Sequence, residues 1–358
     1  MKCAIISVTN HGAVLGSKLA DQLIILGHQV DVFAKAGRNP LQTVSYDSVS
    51  SLMDEIFSRY EGLIFIMATG IVVRVIAPYI QDKRMDPAVV VMDEQGQFAI
   101  SLLSGHIGGG NELAKLIGHT MGARPVITTA TDVTGKPAAD LLACKLHRKI
   151  EPFSQLKCIN AALVNGDKVG FFIDKTIPNQ EYYNQMAKEV GIQLQDMSNL
   201  QTTSYDAAVL ITDQTIPMEK LHLYLRPIQL AVGIGCRRGT TCAEIEAALT
   251  DACYRIGYNI KNISIIGSTV LKQDEIGLLA LIKQLSVPSV FFSNEELQQC
   301  IDDHQLEVSN FVKKQIGVGN VCAAAAILAG KRSKLLLPKT KYKNVTLAIA
   351  PVKLQSLE

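Results

Sequence analysis

Short apolar runs alternate with amphipathic stretches through most of this chain, with glycine, proline and charge between them. Cys3–Val8 reads as a strand. Ala13–Leu26 carries apolar residues at helical spacing and stops at Gly27. Gln29–Phe33 predicts a strand, Val49–Arg59 a helix, and Leu63–Ala68 a strand with no polar face. Ile71–Ile80 predicts a helix closed by Pro78. Ala88–Met92 and Phe98–Leu102 predict a hairpin around Asp93–Gly96. Asn111–Met121 reads as a helix and Pro125–Thr128 as a strand. Apolar strands alternating with helices imply a mostly parallel sheet covered on both faces.

The pattern changes between Val133 and Arg226. Pro137–His147 and Glu181–Val190 read as helices and Ala207–Thr212 as a strand. Ala161–Val164 and Val169–Ile173 predict a hairpin over Asn165-Gly166-Asp167. No dense glycine or charge cluster marks this segment, so it reads as a connector. Pro227 restarts the earlier pattern. Leu230–Gly233, Ile263–Ile266, Ser289–Phe292, Leu335–Leu337 and Val345–Ala350 predict strands, and Glu275–Leu285 a helix. Thr241-Cys242-Ala243-Glu244 has the spacing of a capping box opening a helix to about Ile256. Val321–Ala329 predicts a helix of small residues able to pack close to a sheet. The fold class expected is therefore α/β: two α/β domains with mostly parallel sheets, at 1–132 and 227–358, joined by a smaller α+β middle domain at 133–226.

Composition narrows the function. A chain of 358 residues, 48% hydrophobic and 19% charged, is globular and long enough for two or three domains. A net charge of +2 gives no field for nucleic acid, so none is expected as a partner. Met1-Lys2 leads straight into a strand, so no signal peptide is expected. Uncharged runs such as Gln95–Asn111 and Ile316–Gly330 are too short or too polar for a membrane span. Eight cysteines without a Cys-x-x-Cys pair read as reduced core residues, which points to the cytoplasm.

The densest chemistry lies in Ser104-Gly105-His106-Ile107-Gly108-Gly109-Gly110-Asn111, a strand-to-helix loop with four glycines in six positions. Glycines let a ligand approach the backbone, and amides at a helix start favour anions. His106 titrates near neutral pH and, oriented by Asp132, can serve as a base. Thr69-Gly70, Ser104–Gly110 and Thr129–Asp132 each follow a predicted strand and are expected to converge on one crevice. Asp132 has the alternative of capping a helix. Arg74 can bind an acidic ligand; Lys83 and Arg84 either do the same or solvate a loop. Ser104 lacks a Gly-x-Ser-x-Gly elbow. Neither His-Glu-x-x-His nor a Walker loop occurs, and His106, Glu112 and His119 make no metal triad, so no protein metal is expected. Gly233–Gly239 is not a dinucleotide fingerprint, because Arg238 stands where the third glycine belongs. Arg237 and Arg238, and more weakly Lys272, suit carboxylate or phosphate recognition or a charged surface turn.

At these residues the chain resembles the CbiG family, the cobalt-precorrin-5A hydrolases of anaerobic cobalamin synthesis. Ala68–Arg74 with Lys83–Val89, Ile100–Leu113 continuing to Pro125–Asp132, and Val232–Thr241 with Ser268–Leu281 and Gly317–Ala326 carry the resemblance. They cover the first and last domains. The last domain also resembles CobE-type proteins. The chain departs from the family at Ala323 or Ala324, where members often carry a glutamate. The resemblance implies a reaction that opens the ring A lactone of an anionic cobalt-tetrapyrrole and releases C20 with its methyl group as acetaldehyde. The residues suit that reaction: His106 oriented by Asp132 can activate water as the catalytic pair, and the Gly108–Gly110 amides can meet the oxyanion. Substrate would contact Thr69, Gly70, Arg74, Lys83, Ser104, Gly105, Gly108, Gly109, Gly110, Asn111, Glu112, Arg237, Arg238 and Lys272. Cobalt arrives with the substrate, so no cofactor is expected. Transient contact with neighbouring pathway enzymes fits the same picture. The alternative is a non-catalytic tetrapyrrole carrier using the same loops and arginines.

Overall fold

A computed structural model describes residues 1–331 and 333–352, which divide into two compact units, Met1–Cys144 and Lys145–Glu358. The first unit runs β1 (Lys2–Ser7), α1 (Asn10–Ile25), β2 (Gln29–Lys35), β3 (Val44–Tyr46), α2 (Val49–Ile56), β4 (Gly62–Ile66), α3 (Thr69–Ile76), β5 (Ala88–Met92), β6 (Phe98–Leu103), α4 (Gly110–Met121), β7 (Arg124–Val126), α5 (Ala130–Thr134) and α6 (Ala139–Lys145). Its seven strands take the order β3-β2-β1-β4-β5-β6-β7. The continuous apolar runs became the central strands: every residue of β4 and β5 is buried. Helices cover both faces, giving one core around Phe65, Val72 and Val89 and another around Ile64, Val90 and Ile117. Thr9 caps α1 by accepting from the Gly12 amide, as a hydroxyl at that position should. The helix expected over Ile71–Ile80 ends at Ile76. Ala77–Tyr79 tightens into a 3-10 turn around Pro78, which has no N–H to continue an α-helix.

One reversal in this sheet decides where chemistry can happen. β1 to β5 run parallel to one another, but β6 pairs antiparallel to β5, and β7 follows β6 in parallel. The loops after β1, β4 and β5 therefore leave one edge of the sheet, and the loops after β6 and β7 leave the other. The six residues of β6 put these edges about 17 Å apart.

The second unit opens with β8 (Lys149–Glu151), α7 (Leu156–Asn165), β9 (Val169–Ile173), α8 (Gln180–Glu189), β10 (Gln195–Asp196), β11 (Ala207–Ile211) and β12 (Leu221–Arg226). Their sheet has the order β10-β9-β11-β12-β8, with only β8 antiparallel. The hairpin expected over Asn165–Asp167 is absent: Ala161–Val164 belongs to α7, whose buried face is Leu156, Ile159, Ala162 and Leu163. Gly166 caps that helix at φ 88°, so the Asn-Gly pair served a helix end rather than a hairpin turn.

The unit continues with β13 (Leu230–Cys236), α9 (Cys242–Arg255), β14 (Ile263–Thr269), α10 (Ile276–Leu285), β15 (Ser289–Phe292), α11 (Asn294–Asp303), α12 (Asn310–Ile316), α13 (Val321–Ala329), β16 (Leu337–Lys341) and β17 (Val345–Pro351). The strand order is β15-β14-β13-β17-β16, parallel from β15 to β13 and antiparallel beyond. Thr241 and Glu244 form the expected capping box. The small-residue helix α13 lies directly on the sheet: a Cβ on Gly233 would come 1.8 Å from the Cys322 carbonyl oxygen. Arg148 joins the two sheets of this unit. Its guanidinium lies between the rings of Tyr183, on α8, and Tyr258, just after α9, 5.4 and 5.0 Å from their centroids.

Candidate active site

The glycine loop is held by its own backbone. Ser104 turns the chain at φ 55°, and the Gly110 and Asn111 amides then donate to the Ser104 and Gly105 carbonyls, each at 3.0 Å. A Cβ on Gly108 would lie 2.4 Å from the Ser104 Cβ, and Gly109 sits at φ 85°, so no side chain fits the first and few fit the second. The Gly109 amide donates to the His106 carbonyl at 3.1 Å. This corrects one expectation: the Gly109 and Gly110 amides are committed to the loop and do not face an incoming oxyanion.

His106 sits at the centre of a polar cluster. Its Nε2 lies 2.6 Å from Asp132 Oδ2, at the start of α5, and its Nδ1 lies 3.2 Å from both oxygens of Asp140, on α6. The His106 and Asp140 side chains are 9% and 6% exposed, whereas Asp132 is 20% exposed and is the member that reaches solvent. Asn111 orients it: the Asn111 amide donates to Asp132 Oδ2 at 3.0 Å and to Thr129 Oγ1 at 3.1 Å, while its oxygen accepts from Ser101. Lys115 of α4 stands 3.7 Å from Asp132 Oδ1 and pairs with Glu112 at 2.8 Å. The pKa of His106 is raised above its ordinary value, first by hydrogen bonding to Asp140, with Asp132 adding to it and burial opposing it.

Of the expected residues, the structure brings together Ser104–Asn111, Glu112 and Asp132. The Lys83 loop borders them, since the Asp86 carbonyl oxygen would be 3.4 Å from a Gly108 Cβ. Thr69, Gly70 and Arg74 do not join them. They lie at the opposite edge of the sheet, where Arg74 folds back to donate to the Gly70 carbonyl at 2.9 Å. A cavity of about 410 Å³, lined by Val8, Thr69, Glu94 and Phe98 among others, occupies that edge. The single crevice expected from loops that follow strands fails because β6 runs backwards. In the second unit, Arg238 pairs with Asp274 at 2.8 Å, Lys272 with the buried Glu275 at 3.0 Å, and Arg237 is exposed. Among the described residues no group of three or more His, Cys, Asp or Glu is arranged to hold a metal ion, and no helix is long and apolar enough to cross a membrane.

Asp140 and Lys115 were missed as site residues. Asp140 is a lone carboxylate in the apolar stretch Ala138–Ala143, and a buried aspartate needs a partner. Lys115 is one turn beyond Glu112 on the same helix face and reads as an ordinary surface pair.

A histidine held between two carboxylates on a glycine loop is the equipment of acid–base catalysis. The chain belongs to the CbiG family of cobalamin synthesis proteins. Family profiles described as Cobalamin synthesis G N-terminal, Cobalamin biosynthesis central region and Cobalamin synthesis G C-terminus match residues 51–132, 137–227 and 230–350. It is 32% identical to a cobalt-precorrin-5A hydrolase of Priestia megaterium, over 97% of this chain and 94% of that one. It is 34% identical to the protein of the same name from Salmonella typhimurium, over 97% and 96%. A cobalamin biosynthesis protein G homologue from Sulfolobus solfataricus shares the fold at a TM-score of 0.50 and 22% identity, over 98% and 97% of the two chains.

Proposed function

We propose that this chain is a cobalt-precorrin-5A hydrolase of the anaerobic cobalamin pathway, working in the cytoplasm. It opens the ring A lactone and releases C20 with its methyl group as acetaldehyde, leaving cobalt-precorrin-5B. The relatives' shared name supports the substrate. The observation that carries the reading is the His106–Asp132–Asp140 cluster on the glycine loop. Hydrolysis needs a water deprotonated as it attacks the lactone carbonyl, and Asp132 is the solvent-reaching end of that cluster. Asp132, once it holds the proton from water, can return it to the leaving C20 oxygen as the acyl C–O bond breaks; that proton then comes off the C20 hydroxyl as its carbonyl forms and the bond from C20 to the macrocycle breaks, the electron pair passing to the macrocycle. Lys115 and the Lys83 loop offer positive charge to the carboxylates that ring the macrocycle. Arg237, Arg238 and Lys272 are the corresponding groups of the second unit; the Arg238–Asp274 pair is exposed, so a substrate carboxylate can displace it at little cost. Cobalt enters as part of the substrate.

The test is turnover by purified protein, read as acetaldehyde and as the corrinoid spectrum. Wild type should release one acetaldehyde per substrate, and a folded His106→Ala variant should lose roughly 10²–10⁴-fold in rate. Tight binding without acetaldehyde would make the protein a carrier instead.

A further inference from the structure

We infer that Asp140 is a positioning residue that holds His106 as an imidazolium, leaving Asp132 as the group that accepts a proton from water. The second half of this inference rests on the function proposed above; the first does not. A neutral imidazole has one N–H and one lone pair. Here each ring nitrogen faces a carboxylate, Nε2 at 2.6 Å and Nδ1 at 3.2 Å. In either neutral tautomer one of these contacts sets a lone pair against carboxylate oxygens. Only the imidazolium donates to both.

Burial raises the stakes. A carboxylate as enclosed as Asp140 is costly to keep ionised without compensation, and the His106 ring and the Leu141 amide, each 3.2 Å away, both face it. The groups around the ring agree. Asp132 comes from α5, Asp140 and Cys144 from α6, and Glu112 and Lys115 from α4. Lys115 is engaged by Glu112 and by the outer oxygen of Asp132. The Cys144 thiol is pushed up to about 11, chiefly by burial, and adds no charge near neutral pH. An imidazolium has no lone pair with which to deprotonate water. Asp132 Oδ2 is taken by His106 and Asn111, which leaves Oδ1, beside Lys115, as the open acceptor.

The experiment is the titration of His106 by NMR of its ring signals in the full chain, assigned against His106→Gln. In wild type the midpoint should lie above the 6.5 of an ordinary histidine. In Asp140→Asn it should move down toward that value, and the alkaline limb of kcat should move down with it while KM holds. Asp140→Glu keeps the charge and should keep the midpoint high, which preserves the test if the asparagine variant fails to fold. An unchanged midpoint in folded Asp140→Asn, or a midpoint in Asp140→Glu no higher than 6.5, would overturn the inference. Wild-type protein that shows the raised midpoint but no hydrolysis would instead overturn the proposed function and leave the role of Asp140 toward His106 standing.

Discussion

Replacing Arg148 should unfasten the second unit, and the structure sets the size of the effect. Its side chain is 2% exposed, and its Nε donates to the Tyr183 hydroxyl at 3.2 Å, with Nη2 reaching the same oxygen. Tyr183 passes the chain of bonds on to the Gly257 carbonyl, and the Tyr258 hydroxyl donates to the His147 carbonyl at 2.6 Å. Asp213 completes the charge balance at 3.5 Å. Arg148→Ala removes a charged hydrogen bond worth about 1.5–3 kcal/mol and two desolvated ring contacts of about 1–2 kcal/mol, and opens a cavity between the rings. These terms overlap, so about 4 kcal/mol is a fair expectation, within the range of about 3–5 kcal/mol for breaking a buried pair. For a unit of this size that lowers Tm by roughly 8–16 °C. Arg148→Met keeps the stack between the rings, and Asp213 retains Lys261 at 3.3 Å, so about half the loss should return. Calorimetry reads the transition. Tyrosine fluorescence follows it as well, because the chain has no tryptophan. A fall of less than about 3 °C in Arg148→Ala would refute the idea that this cage joins the two sheets of the unit.

Two further outcomes follow from the first unit. Gly108→Ala places a methyl 2.4 Å from the Ser104 Cβ; it should cost about 1–3 kcal/mol in urea denaturation and, by shifting the loop under His106, at least about tenfold in turnover. Because the folded pKa of His106 is raised, its stabilising contribution is complete below the unfolded value of 6.5 and is lost as pH rises through the folded value. The stability gap between wild type and His106→Gln should therefore be wider at pH 6 than at pH 9, which urea denaturation at the two pH values measures.

Much of this arrangement was legible along the chain, and the failures have particular causes. Ala88–Met92 and Ser289–Phe292 fell on strands and Val321–Ala329 on a helix as expected, because an apolar run between turn residues or a run of small residues has few other uses. The hairpin at Asp93–Gly96 was legible too, and a strand that runs backwards delivers its loop to the other edge. That is why Thr69, Gly70 and Arg74 parted from His106. Asn165-Gly166 misled because a glycine at positive φ serves a helix end as well as a hairpin. Asp140 could be suspected from its apolar neighbours, but its partner lies 34 residues away and only tertiary packing names it. Arg148 stands in His147-Arg148-Lys149, which reads as a solvated run until Tyr183 and Tyr258 close over it.

On the proposed function, substrate meets the glycine-loop edge of the first sheet and not the edge that carries the cavity of about 410 Å³. A crystal structure of His106→Gln with cobalt-precorrin-5A bound tests it most directly. The lactone should lie within one water of Asp132 Oδ1, with the ring over Ser104–Asn111. A macrocycle seated instead in the cavity beside Val8, Thr69 and Phe98, with the glycine loop unoccupied, would contradict it.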